Sequence, residues 1–290
     1  MTQIITSLSE ISESYDALFC DLWGCVHDGL TPFAEAVAAL QAFRAKGGTV
    51  MMVTNAPRPH APVRRQLERL GVPSDAYDGI ATSGDSARAA MLRGAVGEKV
   101  YFIGQSHDQD FFTPLELIEN PVVISQVALE QAEGIVCCGP FDPLADPDEM
   151  RAHFLQAKAR GLKLLCANPD IVVDRGETRE WCAGALAKLY TEMGGESLYF
   201  GKPHPPIYDL ARRRLEALGK DIPDSRILCV GDGILTDIDG AMGEDLDSLF
   251  ITGGLAAQET QTTDQPDPAA LTAYLTKEMR QPTYCIGKLR

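Results

Sequence analysis

The sequence predicts an α/β protein, a doubly wound parallel sheet interrupted by a second, inserted α/β unit. Three observations predict it. Short β-rich runs alternate with helix-period stretches, the pattern of repeated βα units. The apolar residues of those runs are nearly continuous rather than alternating, as strands covered on both faces require. The 290 residues also set a prior of about two domains, with ample chain to bury a core.

Taken in order, the strands are expected at ALFCDLW (17–23), TVMMVTN (49–55), KVYFIG (99–104), GIVCCG (134–139), KLLCAN (163–168), SLYFG (197–201), RILCVGD (226–232) and DSLFIT (247–252). The segment 34–47, AEAVAALQAFRAKG, places Ala, Val, Leu and Phe at i, i+3, i+4 and i+7 spacing and stops at glycine, so it reads as an amphipathic helix. Similar signals mark 61–70, 84–93, 147–160, 205–218 and 268–280. The stretch from Thr54 to Lys202 is too long for one crossover and holds at least three strand signals. A separate unit is therefore expected over 95–196, set into a core made of 1–94 and 197–290. The polar, proline-containing run 256–270 reads as an exposed connection before a last helix.

Charge and cysteine usage narrow the function classes. With 26 Lys+Arg against 41 Asp+Glu, the net charge of −15 disfavours a phosphate-backbone footprint, so nucleic acid is not an expected partner. Apolar runs are too short to span a bilayer, so no membrane association is expected. The eight cysteines sit mostly inside apolar strand-like segments with no CxxC pair, which suits core packing in a reducing cytoplasm. A small-molecule enzyme or a binding protein is left, and monomer and homodimer both stay open.

Polar residues then stand out at expected strand ends, where open α/β sheets place their ligand crevices. Asp21 closes the first strand, Thr54 and Asn55 the second, and Asp232 a later one, with Asp237 five residues on. Carboxylates converging there would repel one another unless a cation sat among them, and a hard divalent ion with oxygen ligands, Mg²⁺ foremost, meets that need. Lys202, in FGKPHPP, would add a fixed positive charge.

In their order, DLWGCVHDG, VTNA, GKP and GDGILTDIDGA resemble the four motifs of the haloacid dehalogenase superfamily of phosphotransferases. The likeness covers nearly the whole chain. It is closest to the subclass with a large α/β cap between the second and third motifs, which contains the nitrophenyl-, pyridoxal- and nucleotide-phosphate phosphatases. The resemblance implies a Rossmann-like core with an inserted cap, with Asp21 as nucleophile, Thr54 and Lys202 holding the phosphoryl group, and Asp21, Asp232 and the Trp23 backbone carbonyl as Mg²⁺ ligands. Asp237 would support the metal. Asn55, Arg58, Asn168 and Asp170 would face the substrate, a small phosphorylated metabolite such as a sugar, nucleotide or coenzyme phosphate.

One position departs from the pattern. The family's phosphatases usually carry a second Asp two residues after the nucleophile, as general acid and base, and here that residue is Trp23. Such catalysis is typically worth ~10²–10⁴ in rate. His27 and Asp28, just downstream, are candidate replacements and equally read as turn residues. Three functions follow, in order of preference. They are an Mg²⁺-dependent phosphatase working through an aspartyl-phosphate, a phospho-ligand sensor with weak hydrolysis, and a metal-independent dehalogenase, whose first motif carries an aromatic residue at this position.

Overall fold

A computed structural model describes residues 2–113, 120–175 and 177–290. In chain order the strands are β1 (Gln3–Ile4), β2 (Ala17–Cys20), β3 (Thr49–Thr54), β4 (Gly79–Thr82), β5 (Lys99–Ile103), β6 (Ser125–Gln126), β7 (Gly134–Cys137), β8 (Lys163–Cys166), β9 (Val172–Arg175), β10 (Thr178–Trp181), β11 (Glu196–Tyr199), β12 (Ile227–Gly231), β13 (Asp247–Ile251) and β14 (Tyr284–Ile286). The helices are α1 (Ala34–Ala45), α2 (His60–Leu70), α3 (Ser83–Leu92), α4 (Arg151–Ala159), α5 (Ala183–Glu192), α6 (Pro205–Ala217), α7 (Asp239–Gly243) and α8 (Pro268–Glu278).

Among the described residues, β1-β14-β13-β12-β2-β3-β4 form a parallel sheet in that order. Its central strands are buried on both faces because both are covered. Leu18, Cys20, Val50 and Met52 pack toward α1 and α2, while Ala17, Phe19, Met51 and Val53 pack toward α6 and α7. Helix α1 shows why its sequence takes that place. Ala36, Leu40 and Phe43, at i, i+4 and i+7, form its buried face, and full burial of Leu40 or Phe43 contributes about 1.5–3 kcal/mol each.

From β2 the chain winds outward through β3 and β4, whereas from β12 it winds the other way through β13 and β14. The β2/β12 pair is thus the topological switch point, and ligand crevices of open α/β sheets lie beyond the carboxyl ends of such strands.

A second parallel sheet, β11-β8-β7-β5-β6, is inserted between α3 and α6, and an antiparallel hairpin, β9–β10, projects from it after β8. Its core is also two-sided, with Ile135, Cys137, Leu164 and Cys166 on one face and Val136 and Leu165 on the other. The sequence reading assigned 197–201 to the core, within 197–290. In the structure β11 pairs with β8 in the inserted sheet. A short buried strand in a βα unit carries no local mark of which sheet it joins.

No described helix is long and apolar enough to cross a membrane. All eight cysteines are buried and unpaired.

Candidate active site

Three strand ends of the large sheet and the first residues after the inserted one converge on one polar cluster. Lys202 Nζ donates to Asp21 Oδ1 at 2.6 Å and to Asp237 Oδ1 at 2.6 Å. These side chains are only 4%, 10% and 6% exposed. Asp21 follows β2. Asp237 lies in a wide turn after β12, where the Ile238 N–H reaches back to the Gly233 carbonyl at 3.1 Å. That turn swings the Asp237 carboxylate under the strand end, and its Oδ2 accepts from the Gly233 N–H at 3.0 Å.

Asn55 fixes Lys202 from behind. Its Oδ1 accepts from the Lys202 N–H at 2.7 Å, and its Nδ2 donates to the Lys202 carbonyl at 3.0 Å and to Asp170 Oδ1 at 2.8 Å. Thr54 is buried at the end of β3, its hydroxyl accepting from the Ala56 N–H at 3.2 Å. Asp232 sits at the end of β12, where Oδ2 accepts from the Leu255 N–H at 3.0 Å. Two loops pass unusually close to it: a Cβ at Gly24 or at Gly254 would lie 2.1 or 2.0 Å from Asp232 Oδ2. Glycine at both positions is what lets the carboxylate sit between them.

The electrostatics are unbalanced toward negative charge. Burial, then the nearby Asp21 and Asp237, push the Asp232 carboxyl well above its ordinary range. Burial likewise raises Asp21, against the pull of Lys202, and raises Asp237 to about 6. For Lys202 burial opposes the ammonium, but Asp21, Asp237 and Asp170 more than offset it and hold the group well above its usual value. Buried carboxylates outnumbering the ammonium is an arrangement that a bound cation would relieve.

Donor atoms of Asp21, Asp232 and Cys25 lie within 4.8 Å of one another. Burial, with Asp232 and Asp21 close by, keeps the Cys25 thiol protonated. The available donors are therefore oxygens, the set a hard divalent cation takes. The Trp23 carbonyl accepts no hydrogen bond among the described residues, so it is free to join them.

Two cavities meet at Asp21, Trp23, Asp170 and Val173. The larger, of about 610 Å³, runs past Asp232, Asp237 and Lys202. The smaller, of about 130 Å³, runs under the inserted sheet past Thr54, Arg58, Asn168 and Cys182. Asn168 is buried, and its Oδ1 accepts from the Asp170 N–H at 3.0 Å. Burial raises Asp170 to about 6, against Lys202 and the Asn55 hydrogen bond.

Two expectations need correction. His27 is not placed as a proton carrier: it is 1% exposed, and its Nδ1 accepts from the Gly29 N–H at 3.0 Å. Its ring meets the Trp23 ring edge-on at 5.0 Å, and burial pulls it down to about 4. Asp28 borders the larger cavity, but its Oδ1 accepts from the Leu30 and Thr31 N–H groups at 2.9 and 2.7 Å. The Thr31 backbone bond leads in holding that carboxyl below its usual range. Both residues shape the turn. Sequence reasoning also missed Arg175, over the Trp23 ring at 5.7 Å, and Asp108, both bordering the smaller cavity. The run VVDRGETREW around Arg175, two β-rich stretches about a glycine, carried a hairpin signal. Asp108 carried none.

Residues 18–117 match the sequence model of haloacid dehalogenase-like hydrolases, and residues 199–277 match a second, HAD-like hydrolase model. A hydrolase of the haloacid dehalogenase-like family from Brucella suis 1330 is 40% identical, covering 99% of this chain and 100% of its own, with a TM-score of 0.86. The chain belongs to the haloacid dehalogenase-like hydrolase family. Among other members, D-glycerol 3-phosphate phosphatase of Mycobacterium tuberculosis is 26% identical over 98% of this chain and 72% of its own length. The crystal structure of glycerol phosphate phosphatase from that organism in complex with magnesium superposes with a TM-score of 0.66 at 25% identity, over 99% of this chain and 78% of its own. Against a p-nitrophenyl phosphatase from Archaeoglobus fulgidus, 19% identical, the TM-score is 0.70 over 95% and 97% of the two chains, a likeness of fold that takes in the inserted sheet. In this member of the family Asp21, Thr54, Lys202 and Asp232 lie about the central strand ends, and the Trp23 indole borders both cavities beside them.

Proposed function

We propose that this hydrolase cleaves small phosphate monoesters in the reducing cytoplasm, with a bound divalent cation, Mg²⁺ foremost. The observation that carries the reading is the buried cluster of Asp21, Asp232 and Asp237 around the single ammonium of Lys202. Similarity to glycerol phosphate phosphatases of M. tuberculosis, one crystallised with magnesium, supports it.

Asp21, Asp232 and the Trp23 carbonyl would hold the cation, with Asp237 in support. When bound, it supplies fixed positive charge against the phosphoryl oxygens. Asp21 attacks phosphorus, the bond to the ester oxygen breaks, and an aspartyl-phosphate forms. Water then adds at phosphorus, releasing inorganic phosphate and restoring the carboxylate. Thr54 and Lys202 steady the phosphoryl oxygens, and Asn55 keeps Lys202 in place. The inserted sheet with its hairpin acts as a cap that excludes water.

The departing alkoxide needs a proton that an indole cannot give. Asp170 takes that role in this reading: it borders both cavities, is held by Asn55 and titrates near 6. It gives its proton to the departing alkoxide, which leaves as the alcohol, and recovers one from the attacking water. A second reading, a phospho-ligand sensor with weak hydrolysis, draws on the Trp23 ring packed between His27 and Arg175. A metal-independent dehalogenase fits less well, because the surplus of buried carboxylates calls for a cation.

A screen of phosphorylated metabolites with and without Mg²⁺ tests the reading. Metal-dependent phosphate release supports it. Tight binding without release points to the sensor, and halide release from a haloalkanoate in EDTA to the dehalogenase.

A further inference from the structure

Helix α3 serves two units at once. It joins β4 of the large sheet to β5 of the inserted one. Its apolar face lies against the inserted sheet, where Ala87 and Met91 pack with Val136, Leu165 and Ala167. Asp170 follows Ala167 in the same loop, so the inserted sheet carries both the helix and that carboxylate.

The polar face of α3 meets the core. The Gly84 N–H donates to the Ala56 carbonyl at 3.0 Å, and a Cβ at Gly84 would lie 2.3 Å from the Pro57 carbonyl oxygen. The turn after Thr54 and Asn55 is thus backed directly onto the helix. Ser86 Oγ donates to the Pro206 carbonyl at 3.3 Å, at the start of α6, the helix that follows Lys202.

Between these contacts lies a buried charge cluster that the phosphoryl chemistry does not use. The Asp85 side chain is 6% exposed. Its Oδ2 accepts from Arg214 Nη2 of α6 at 2.5 Å and from the His60 N–H of α2 at 3.2 Å, with His60 Nδ1 at 2.9 Å. Arg88, 3% exposed, stands with Nη1 3.5 Å from Asp85 Oδ1. Its Nε donates to the Phe111 carbonyl at 2.9 Å and its Nη2 to Thr113 Oγ1 at 2.9 Å, in the segment after β5. One carboxylate therefore holds an arginine of the core and an arginine that grips the inserted unit. Buried ion pairs add little net stability over apolar packing, but charge-assisted hydrogen bonds fix direction.

We infer that Asp85 is the positioning residue that seats the inserted sheet on the core, and through that seat sets Asp170 against Asn55 and Asp21. Asp85 acts through Arg214 and Arg88 rather than on the substrate. The consequence for catalysis rests on the phosphatase reading, with Asp170 as proton carrier.

The test compares a turned-over alkyl phosphate, whose alkoxide needs a proton, with p-nitrophenyl phosphate, whose nitrophenolate leaves without one. Displacing a catalytic group by ~1 Å can cost ~10² in rate. In Asp85→Asn, kcat for the alkyl ester should therefore fall by about tenfold or more beyond any fall for the nitrophenyl ester, and Asp85→Glu should recover part of it. Arg214→Gln, at a side chain 23% exposed and so easier to replace, should show the same split to a lesser degree. A merely structural role lowers the amount of active protein and both rates alike, so equal losses for the two esters overturn the inference. Asp170→Asn is the control: a split there without one in Asp85→Asn and Arg214→Gln also overturns it and leaves the phosphatase reading standing. Hydrogen exchange reads the seat without turnover. In Asp85→Asn the peptides containing Asp170 and Lys202 should exchange faster while those of β2 and β12 keep their rates; a uniform rise, or no change at either peptide, overturns the inference. Absence of turnover by the unaltered protein, or of a split in Asp170→Asn, overturns the reading or its proton carrier and not the seat, which exchange then upholds or refutes.

Discussion

Replacing Lys202 by methionine probes the charge balance of the site. The substitution keeps most of the side-chain volume and removes the ammonium that holds Asp21 and Asp237 at 2.6 Å each. Breaking a buried pair by deleting one partner typically costs 3–5 kcal/mol, because a charge is left uncompensated. Here two carboxylates are stranded, so a loss of about 4 kcal/mol at pH 8 is expected, roughly 10 °C in Tm for a chain of this size. The pH dependence gives the sharper test. Without Lys202, the folded-state values of Asp21 and Asp237 rise further above those of the unfolded chain. Groups shifted that way contribute stability that is complete below the unfolded value and lost as pH rises through the folded one. For Asp237, already at about 6 with Lys202 present, the deficit therefore opens from pH 6 upward and closes toward pH 4. Thermal unfolding of both proteins between pH 4 and 8 reads it directly. Equal stability at pH 8, or a deficit that does not change with pH, would refute the reasoning.

Other perturbations follow from the same geometry. Gly254→Ala drives a Cβ to 2.0 Å from Asp232 Oδ2, so Mg²⁺ affinity by calorimetry should fall by about tenfold or more, as metal-site disturbances commonly do; unchanged affinity would remove Asp232 from the metal site. With Asp170 as the proton carrier, kcat/KM for an alkyl phosphate declines as pH rises through about 6, and Asp170→Asn abolishes that limb. Trp23→Asp restores a carboxyl where the family usually has one and should raise kcat on alkyl phosphates by up to ~10²; no gain means proton transfer is not limiting. His27, held at about 4 by burial, binds fewer protons folded than unfolded near pH 5. Its contribution of about 3 kcal/mol is complete above pH ~6.5 and lost as pH falls toward 4. His27→Gln should flatten that part of the stability difference in urea titrations, and a parallel profile would contradict it.

Much of this was legible in the sequence for physical reasons. Strands such as Thr49–Thr54 are buried along their whole length, so their apolar runs are continuous and stand out. Asp21, Thr54, Lys202 and Asp232 are polar residues beside such runs, and the switch point brings them together. The elements missed are those with little side-chain signal. Gly79–Thr82 is four residues with one large apolar side chain, Ile80, and Tyr284–Ile286 is three residues long. The hairpin Val172–Arg175 with Thr178–Trp181 is largely exposed, so its pattern is set by what it covers. His27 was misread because its burial comes from the Trp23 ring and the Gly29 backbone, which no motif records. Asp108 borders the smaller cavity only by its place under the inserted sheet, and that depends on contacts far apart in sequence.

Acid-quenched phosphopeptide mapping of the protein with a turned-over phosphomonoester and Mg²⁺ tests the central claim most directly. A base-labile phosphoryl group should appear on the peptide containing Asp21, and both that group and turnover should vanish in Asp21→Asn. Undiminished hydrolysis by Asp21→Asn, or turnover with no phosphoryl group on that peptide, would contradict it.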